Sequence, residues 1–443
     1  MEPVTTRFAP SNTGLIYLGN LRTGIFSYFL ARQNEGTFYL RIDDTDSKRS
    51  DIKYSQEIKD ILKIFQISNC GIYYQSERKI IYDIAFEQLL ASNDIYKDGD
   101  VYKFKIDNSD LSYYDELLKK EIIINKEIAD IIVRRSDGSY LFNFCCAVDD
   151  SVMGISHVIR GSDHINNTII QLQIIKRLGY PTIPKYISSL GLIKELSSDG
   201  QYSLMSKRDG SSSVRHYLER GYYPEAILNC IMRLGCSFGT DEFLPTWQLC
   251  ENFSINGLNS NSSYFDITKL NSYQSTCIQR EEVFDLLNEF NKMNKHELFK
   301  EYLDDYVEYS EDKLKLIISL YQNRLTTLED LGILQYIFKN NWKLEISIIK
   351  SISGIVIDKV LYYLEEFKNT YIDHDQATID LKKLVKDVST ELKLPSKEIY
   401  LDLRKCLTGN ETSPDLQKIV NILGIDEVLK RLHNCNDYFY EIN

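Results

Sequence analysis

Two stretches of the chain combine residue types that could handle a nucleotide. The first runs Arg7-Phe8-Ala9-Pro10-Ser11-Asn12-Thr13-Gly14 and continues through Tyr17-Leu18-Gly19-Asn20 to Arg22. It reads as a strand that ends in a Pro/Ser/Gly loop and feeds a helix N-terminus, where free backbone N–H groups and the macrodipole favour an anion. A nucleotide phosphate is the natural guest, although Pro and Gly could equally be making no more than a tight turn. The second stretch is Leu204-Met205-Ser206-Lys207-Arg208-Asp209-Gly210, ahead of Ser211-Ser212-Ser213. It places two cations and a hydroxyl in one polar loop, and Lys207 could neutralise phosphate charge as it develops in a transition state. Taken alone, a Lys-Arg pair in such a loop is ordinarily just solvated.

Other candidates carry less. Cys145 and Cys146 are adjacent on what reads as a strand, so their side chains should point to opposite faces and cannot share a metal. Core packing is the better reading of both. His157 and His164 flank Arg160, and His164 could stack on a base, but a structural or exposed histidine is the commoner case. Between Lys382 and Lys405 stand seven Lys/Arg against four Asp/Glu, which suits phosphate contacts with RNA or simply a solvated helix face.

The elements that must position these residues change character along the chain. From Val4 to about Arg160, short apolar runs alternate with helical periods, the rhythm of βαβ units around a parallel sheet. Strands are expected at Val4 to Ala9 and Thr37 to Ile42, and helices at Gly19 to Arg32 and Asp51 to Phe65. The runs Val101 to Ile106 and Glu121 to Ile124, joined by a short helical stretch, look like an insertion. Strand-like runs follow at Ile128 to Arg134, Tyr140 to Phe144 and Gly154 to Arg160, then a helix from His164 to Leu178. Beyond Pro224 the periods are helical, for example Asp312 to Gln322, Ile348 to Phe367, Ala377 to Leu392 and Leu416 to Leu432. Asn256 to Ser263, rich in Asn, Ser and Gly, is the best candidate for a break.

With 443 residues, 43% hydrophobic and 26% charged, the chain has the makeup of a globular protein of two or more domains. A net charge of −12 argues against a generally basic surface but leaves room for a local basic groove. Nine cysteines without a C-x2-C pair indicate neither a disulfide framework nor a zinc ribbon. The N-terminus lacks a leader pattern, and no run reaches the ~18 apolar residues of a membrane span. A cytoplasmic protein, away from membranes, is expected.

The two loops occur in the order and at the separation of one family, and the chain resembles the bacterial-type glutamyl-tRNA synthetases. The first stretch looks like that family's signature with the HIGH motif, and Ser203 to Gly210 looks like its KMSKS loop. Further likenesses are Arg41-Ile42-Asp43-Asp44-Thr45-Asp46, Gln75-Ser76-Glu77-Arg78, Val148-Asp149-Asp150, Val158-Ile159-Arg160, Gly221 to Asn229, and Leu407-Thr408-Gly409 with Leu423-Gly424. They span essentially the whole chain.

The resemblance implies an α/β N-terminal Rossmann-type catalytic domain at 1–78 and 134–220, with a shortened acceptor-stem insertion at 79–133. A stem-contact domain at 221–310 and an all-α anticodon-binding region at 311–443 would follow. It implies a glutamate-tRNA ligase using ATP with Mg²⁺ and no structural zinc, acting as a monomer on tRNA(Glu), with tRNA(Gln) as a second candidate. Arg7, Ser11, Asp43, Phe142, Cys146 and Arg160 fall at positions that hold the glutamate, Arg160 being the cation for its side-chain carboxylate. Gly14, Tyr17, Gly19 and Asn20 would surround the ATP. Ser206, Lys207 and Arg208 would clamp its phosphates and Met205 would also contact the ATP, with Lys207, Ser206, Tyr17 and Asn20 as the catalytic set.

The chain also departs from the family. Tyr17 replaces the first histidine of the HIGH motif, and serves either as a hydrogen-bond donor or as a packing aromatic. Asp43, Phe142 and Cys146 stand where glutamate, tyrosine and asparagine are usual, and Leu204 replaces the first lysine of the KMSKS loop. Besides an active ligase, two readings stay open: a tRNA-binding paralogue without turnover, and the related tRNA-modifying glutamyl transferase. The length of chain after Ser263 disfavours the last.

Overall fold

In a computed structural model of the chain, the described residues are 3–46, 49–196, 202–204, 213–240, 242–293, 310–327, 330, 345–370 and 379–442. They form two compact units, Met1–Gln274 and Ser275–Asn443.

The first unit opens with β1 (Thr5–Phe8), α1 (Leu18–Gln33), β2 (Thr37–Ile42), α2 (Ile52–Ile64) and β3 (Ile72–Tyr74). The three strands pair in parallel with Thr5 opposite Thr37 and Leu40 opposite Ile72. α1 buries Leu18, Leu21, Ile25, Phe26 and Phe29; covered on most of its surface, it has little amphipathic stripe. α2 starts where Asp51 accepts the Lys53 N–H, an N-cap that satisfies one orphan donor of its first turn.

Next come α3 (Lys79–Ala91), β4 (Ile95–Asp98), β5 (Val101–Phe104), β6 (Ser112–Asp115), β7 (Lys120–Ile123), β8 (Ile131–Arg134), α4 (Phe142–Val152), β9 (His157–Gly161), α5 (Ile165–Leu178) and β10 (Lys185–Leu190). β4, β5 and β8 make an antiparallel sheet, and a second sheet runs β7-β6-β10-β9. The stretch between Val101 to Ile106 and Glu121 to Ile124, read above as helical, is instead the strand β6, paired antiparallel to β7 and parallel to β10. Its alternation in Ser112-Tyr113-Tyr114-Asp115 buries Tyr113 and Asp115 and turns Tyr114 out.

The larger sheets meet at Ser156. Its N–H donates to the Thr5 carbonyl at 2.9 Å, and its Oγ accepts the Thr5 N–H at 2.8 Å. The strand order across this junction is β3-β2-β1-β9-β10, so the chain leaves β1 to one side first and returns to build the other side. A crevice at such a reversal, beyond the carboxyl ends of the central strands, is where open α/β sheets bind ligands. Arg7 and Phe8 close β1 at that end, and Arg160 and Gly161 close β9.

The strand expected at Tyr140 to Phe144 is a correction. Tyr140 makes only an isolated bridge to Arg134, and from Phe142 the chain is the helix α4. Nearly every residue from Phe144 to Ser151 is buried, which erases the polar face that separates helix from strand in sequence. Cys145 and Cys146 therefore sit on neighbouring helix positions, one in the core and one at the crevice.

The unit continues with β11 (Ile193–Leu196), β12 (Tyr202–Leu204), α6 (Val214–Glu219), α7 (Pro224–Arg233), α8 (Thr246–Asn252), β13 (Ser263–Tyr264) and the start of α9 (Ile267–Arg280), within which the first unit ends. Asn256 to Ser263 is not a break between units. Leu258 bridges to Cys236, and Ser263 pairs with Ile193, so the segment is part of the first unit.

The second unit is helical. It includes α10 (Val283–Met293) and helices at Glu311–Tyr321, Ile346–Ile349, Gly354–Thr370, Leu381–Leu392, Ser396–Thr408, Leu416–Leu423 and Ile425–Ile442. Two spans read as single helices are each divided. One restarts at Gly354, where a Cβ would stand 2.5 Å from Phe439 Cε1. The other is cut at Gly424, whose φ of 79° only glycine adopts readily. In both, the apolar period carries on across the cut, which hides it from the sequence. No helix among the described residues is long and apolar enough to cross a membrane.

Candidate active site

The crevice at the ends of β1 and β9 is a cleft of about 400 Å³. It brings together residues singled out in the sequence: Arg7, Tyr17, Gly19, Asn20, Asp43, Phe142, Cys146 and Arg160, with Arg22 and His164 also on its lining. Ser11 and Gly14 are not on it. The Ser11 hydroxyl is exposed and lies 3.3 Å from Thr13 Oγ1, and a Cβ on Gly14 would meet nothing within 4 Å. Met205, Ser206, Lys207 and Arg208 lie outside the described residues.

At the mouth, α1 begins without a side-chain cap: Tyr17 is extended and its side chain caps no N–H. The first-turn N–H groups are thus left for a guest, with the positive end of the helix behind them. The Tyr17 hydroxyl has its pKa raised by burial and by neighbouring Tyr54 and Glu57, which keeps it a donor at neutral pH.

Under the cleft lies a buried charge network. Arg7 Nε donates to Asp150 Oδ1 at 3.1 Å, and Arg41 Nη1 to the same oxygen at 2.6 Å. Arg41 Nε also donates to Asp43 Oδ1 at 2.8 Å. Cys146 Sγ accepts from Arg41 Nη2 at 3.4 Å and donates to Asp43 Oδ2 at 3.3 Å. Asp149, next to Asp150, lies 3.8 Å from Arg41 Nε and accepts from Gln75, Arg78 and Tyr82 at 2.9, 2.6 and 2.8 Å. Burial pushes the carboxyls of Asp43 and Asp150 up, but the outcomes differ. Asp43 stays raised, because desolvation, with repulsion from Asp149, outweighs the attraction of Arg41. Asp150 faces Arg7, Arg41 and Arg160 at once and is held down at about 2.

Arg160 is placed differently. Only 8% exposed, it has no ion-pair partner among the described residues. Nη1 donates to Thr168 Oγ1 at 3.3 Å, Nη2 to Gln171 Oε1 at 2.9 Å, and the guanidinium stacks over Tyr186 at 5.4 Å. Burial, then repulsion from Arg7, lowers its pKa. A buried cation opposite neutral acceptors, with two of its five N–H groups used, is a receptor waiting for an anion.

The described residues on either side of 205–212 lie near this cleft. Upstream, Leu204 pairs with Lys194, next to Ile193 of the cleft wall. Downstream, Ser213 bridges Tyr17, Val214 N–H donates to the Ile16 carbonyl at 2.9 Å, and Ser213 Oγ caps α6 by accepting the His216 N–H.

Several cleft residues escaped the sequence reading. Arg41, Asp149 and Asp150 stood inside quoted motifs, but their partners lie far along the chain and no periodicity reveals them. Gln171 had no signal at all. Arg22 did close the first stretch singled out in the sequence, but its role did not show there: it is almost wholly buried and donates to the carbonyls of Leu234 and Gly191, and burial lowers its pKa to about 10.

The family model described as tRNA synthetases class I (E and Q), catalytic domain, matches residues 3–101 and 98–272, and one described as anticodon binding domain matches 294–435. A glutamate–tRNA ligase of Methylobacillus flagellatus is 32% identical, covering 97% of this chain and 98% of the relative. A glutamate–tRNA ligase of Aquifex aeolicus is 30% identical, covering 98% of each. A crystal structure of a glutamate tRNA ligase from Elizabethkingia meningosepticum, in complex with its amino acid, superposes with a TM-score of 0.83 at 22% identity, covering 98% of this chain and 99% of that one. An uncapped helix start, a buried unpaired arginine at the strand reversal, and relatives matched from end to end agree: the chain belongs to the class I tRNA synthetases of the glutamate and glutamine group.

Proposed function

We propose that the protein is a glutamate–tRNA ligase: it joins glutamate to AMP at the expense of ATP, then transfers the glutamyl group to the terminal ribose of tRNA(Glu). The observation that carries the choice of amino acid is Arg160, a buried guanidinium without a carboxylate partner at the floor of the cleft. A glutamate side chain supplies the missing charge, and the planar fork suits it in two-point fashion. Asp43, a carboxylate on the same wall, is suited to the substrate's ammonium group, with Arg7, Phe142 and Cys146 completing the enclosure.

In the first step a glutamate α-carboxylate oxygen bonds to the α-phosphorus of ATP as the bond to the bridging oxygen breaks, and pyrophosphate leaves. The open N–H groups at the start of α1, with Gly19, Asn20 and the Tyr17 hydroxyl, face the place where that charge shifts. Lys207, Ser206 and Arg208 are assigned to the triphosphate and Met205 to the rest of the ATP, a reading supported by the pairing of Leu204 with Lys194 and of Ser213 with Tyr17. Among the described residues no cluster of ligands suits a metal ion, so Mg²⁺ would come with the nucleotide, held mainly by phosphate and water oxygens, and would offset phosphate charge. In the second step the ribose hydroxyl attacks the mixed anhydride and AMP departs.

We assign residues 79–133 to the acceptor stem, 221–310 to stem contact and 311–443 to the anticodon, and read the protein as a cytoplasmic monomer. The test is aminoacylation of tRNA(Glu) and tRNA(Gln) transcripts with labelled glutamate. Tight tRNA binding without charging would instead favour a paralogue that has lost turnover, the reading to which Tyr17 lends weight.

A further inference from the structure

Gln171 lies on the face of α5 that lines the cleft and is 1% exposed. Its amide has two partners, and one of them has fixed polarity. A guanidinium can only donate, so Arg160 Nη2 takes Oε1 at 2.9 Å, and the amide nitrogen is turned to Asn143 Oδ1 at 3.0 Å. Asn143 follows Phe142 in the first turn of α4, so two packed helices hold this one amide. The other neighbour of Arg160, Thr168 Oγ1, donates its own hydrogen to the His164 carbonyl at 3.0 Å and is likewise a neutral acceptor. The contrast with the rest of the cleft is in charge. Arg7 and Arg41 are hydrogen-bonded to the carboxylates of Asp150 and Asp43, whereas Arg160, though Asp150 is near, is hydrogen-bonded only to the dipoles of Thr168 and Gln171.

We propose that Gln171 is a specificity-determining residue: its neutral amide, clamped by Asn143, orients Arg160 without neutralising it and so reserves the guanidinium for a side-chain carboxylate. This rests on the reading of Arg160 as the glutamate receptor. A carboxylate at position 171 would form a buried ion pair with Arg160, compete with the substrate's own carboxylate, and remove the penalty on glutamine, whose amide leaves the cation unpaired.

The experiment compares Gln171→Glu, Gln171→Met and Arg160→Gln in the full-length enzyme with its tRNA, measuring kcat and KM for glutamate and for glutamine. In Gln171→Glu the glutamate KM should rise roughly 100-fold or more, with kcat changed less, and the preference for glutamate over glutamine should fall at least ~10-fold. Gln171→Met, which keeps the cleft's charge, should retain the preference while its KM rises modestly. A Gln171→Glu enzyme with the parental preference overturns the inference, as does a Gln171→Met enzyme that loses it. Should Gln171→Glu fail to fold, the Met variant alone decides on the same criterion. An Arg160→Gln enzyme with the parental glutamate KM overturns the underlying reading of Arg160, whereas a weakened Arg160→Gln beside an unchanged Gln171→Glu sinks only the role of Gln171.

Discussion

Tyr17 and Ser213 face each other in a single antiparallel bridge, and the pairing is made by backbone. Side-chain changes at Tyr17 therefore leave it in place and report on the hydroxyl alone. Tyr17→Phe should slow tRNA-dependent ATP–pyrophosphate exchange by ~10²-fold, the scale of losing one transition-state donor, and Tyr17→His should recover or exceed the parental rate. An exchange rate for Tyr17→Phe equal to the parent's would reduce Tyr17 to a packing aromatic.

Arg160→Ala and Lys207→Ala should both abolish charging in a standard assay while leaving the fold intact by circular dichroism. They should differ in kind. Loss of Arg160 raises the glutamate KM by roughly 100-fold or more, whereas loss of Lys207 acts on the phosphates and lowers kcat with the glutamate KM little moved. Either variant charging at the parental rate would refute its assigned role.

Asp150→Asn removes the counter-charge shared by Arg7 and Arg41 and should destabilise the first unit by about 3–5 kcal/mol in urea unfolding. The native Asp150 titrates at about 2 against an ordinary 3.8. Its carboxylate thus contributes fully above pH 3.8, and the contribution disappears as the pH falls to about 2. The variant should show a correspondingly shallower fall of stability over that window.

Gly354→Ala places a methyl against the ring of Phe439 and should destabilise the second unit by about 1–3 kcal/mol. Hydrogen exchange should quicken in the helices Gly354–Thr370 and Ile425–Ile442 and stay unchanged in α1 and α4. Uniform protection in the variant would show that the ring gives way freely.

What the sequence disclosed and what it withheld separate along one physical line. Local periodicity and turn chemistry marked β1, α1, β2 and α2 within a residue or two, and the resemblance collected Arg7, Asp43, Cys146 and Arg160, which do meet in one cleft. Contacts between distant segments left no such trace. The pairing of Arg41 with Asp150, the carbonyl anchors of Arg22 and the amide of Gln171 depend on how elements stack, not on spacing. α4 was misread because burial on most of its surface removed its polar stripe, and β6 because a four-residue strand is too short to outweigh its turn-rich flanks. Ser11 and Gly14 fell off the cleft because a loop's path, unlike a strand's end, is not set by the register of the sheet.

The span of the Arg7–Asp150 pair bears on how the protein is made. The two residues are 143 apart, so at 5–20 residues per second a ribosome adds Asp150 roughly 7 to 29 s after Arg7. Until α4 emerges, β1 and β2 can pair only by leaving the Arg7 guanidinium without its counter-charge, and Arg41 with Asp43 alone, in what is to become the interior. The nascent N-terminal stretch is thus held back from premature closure, and a product truncated before α4 would remain open to proteolysis and to capture by chaperones.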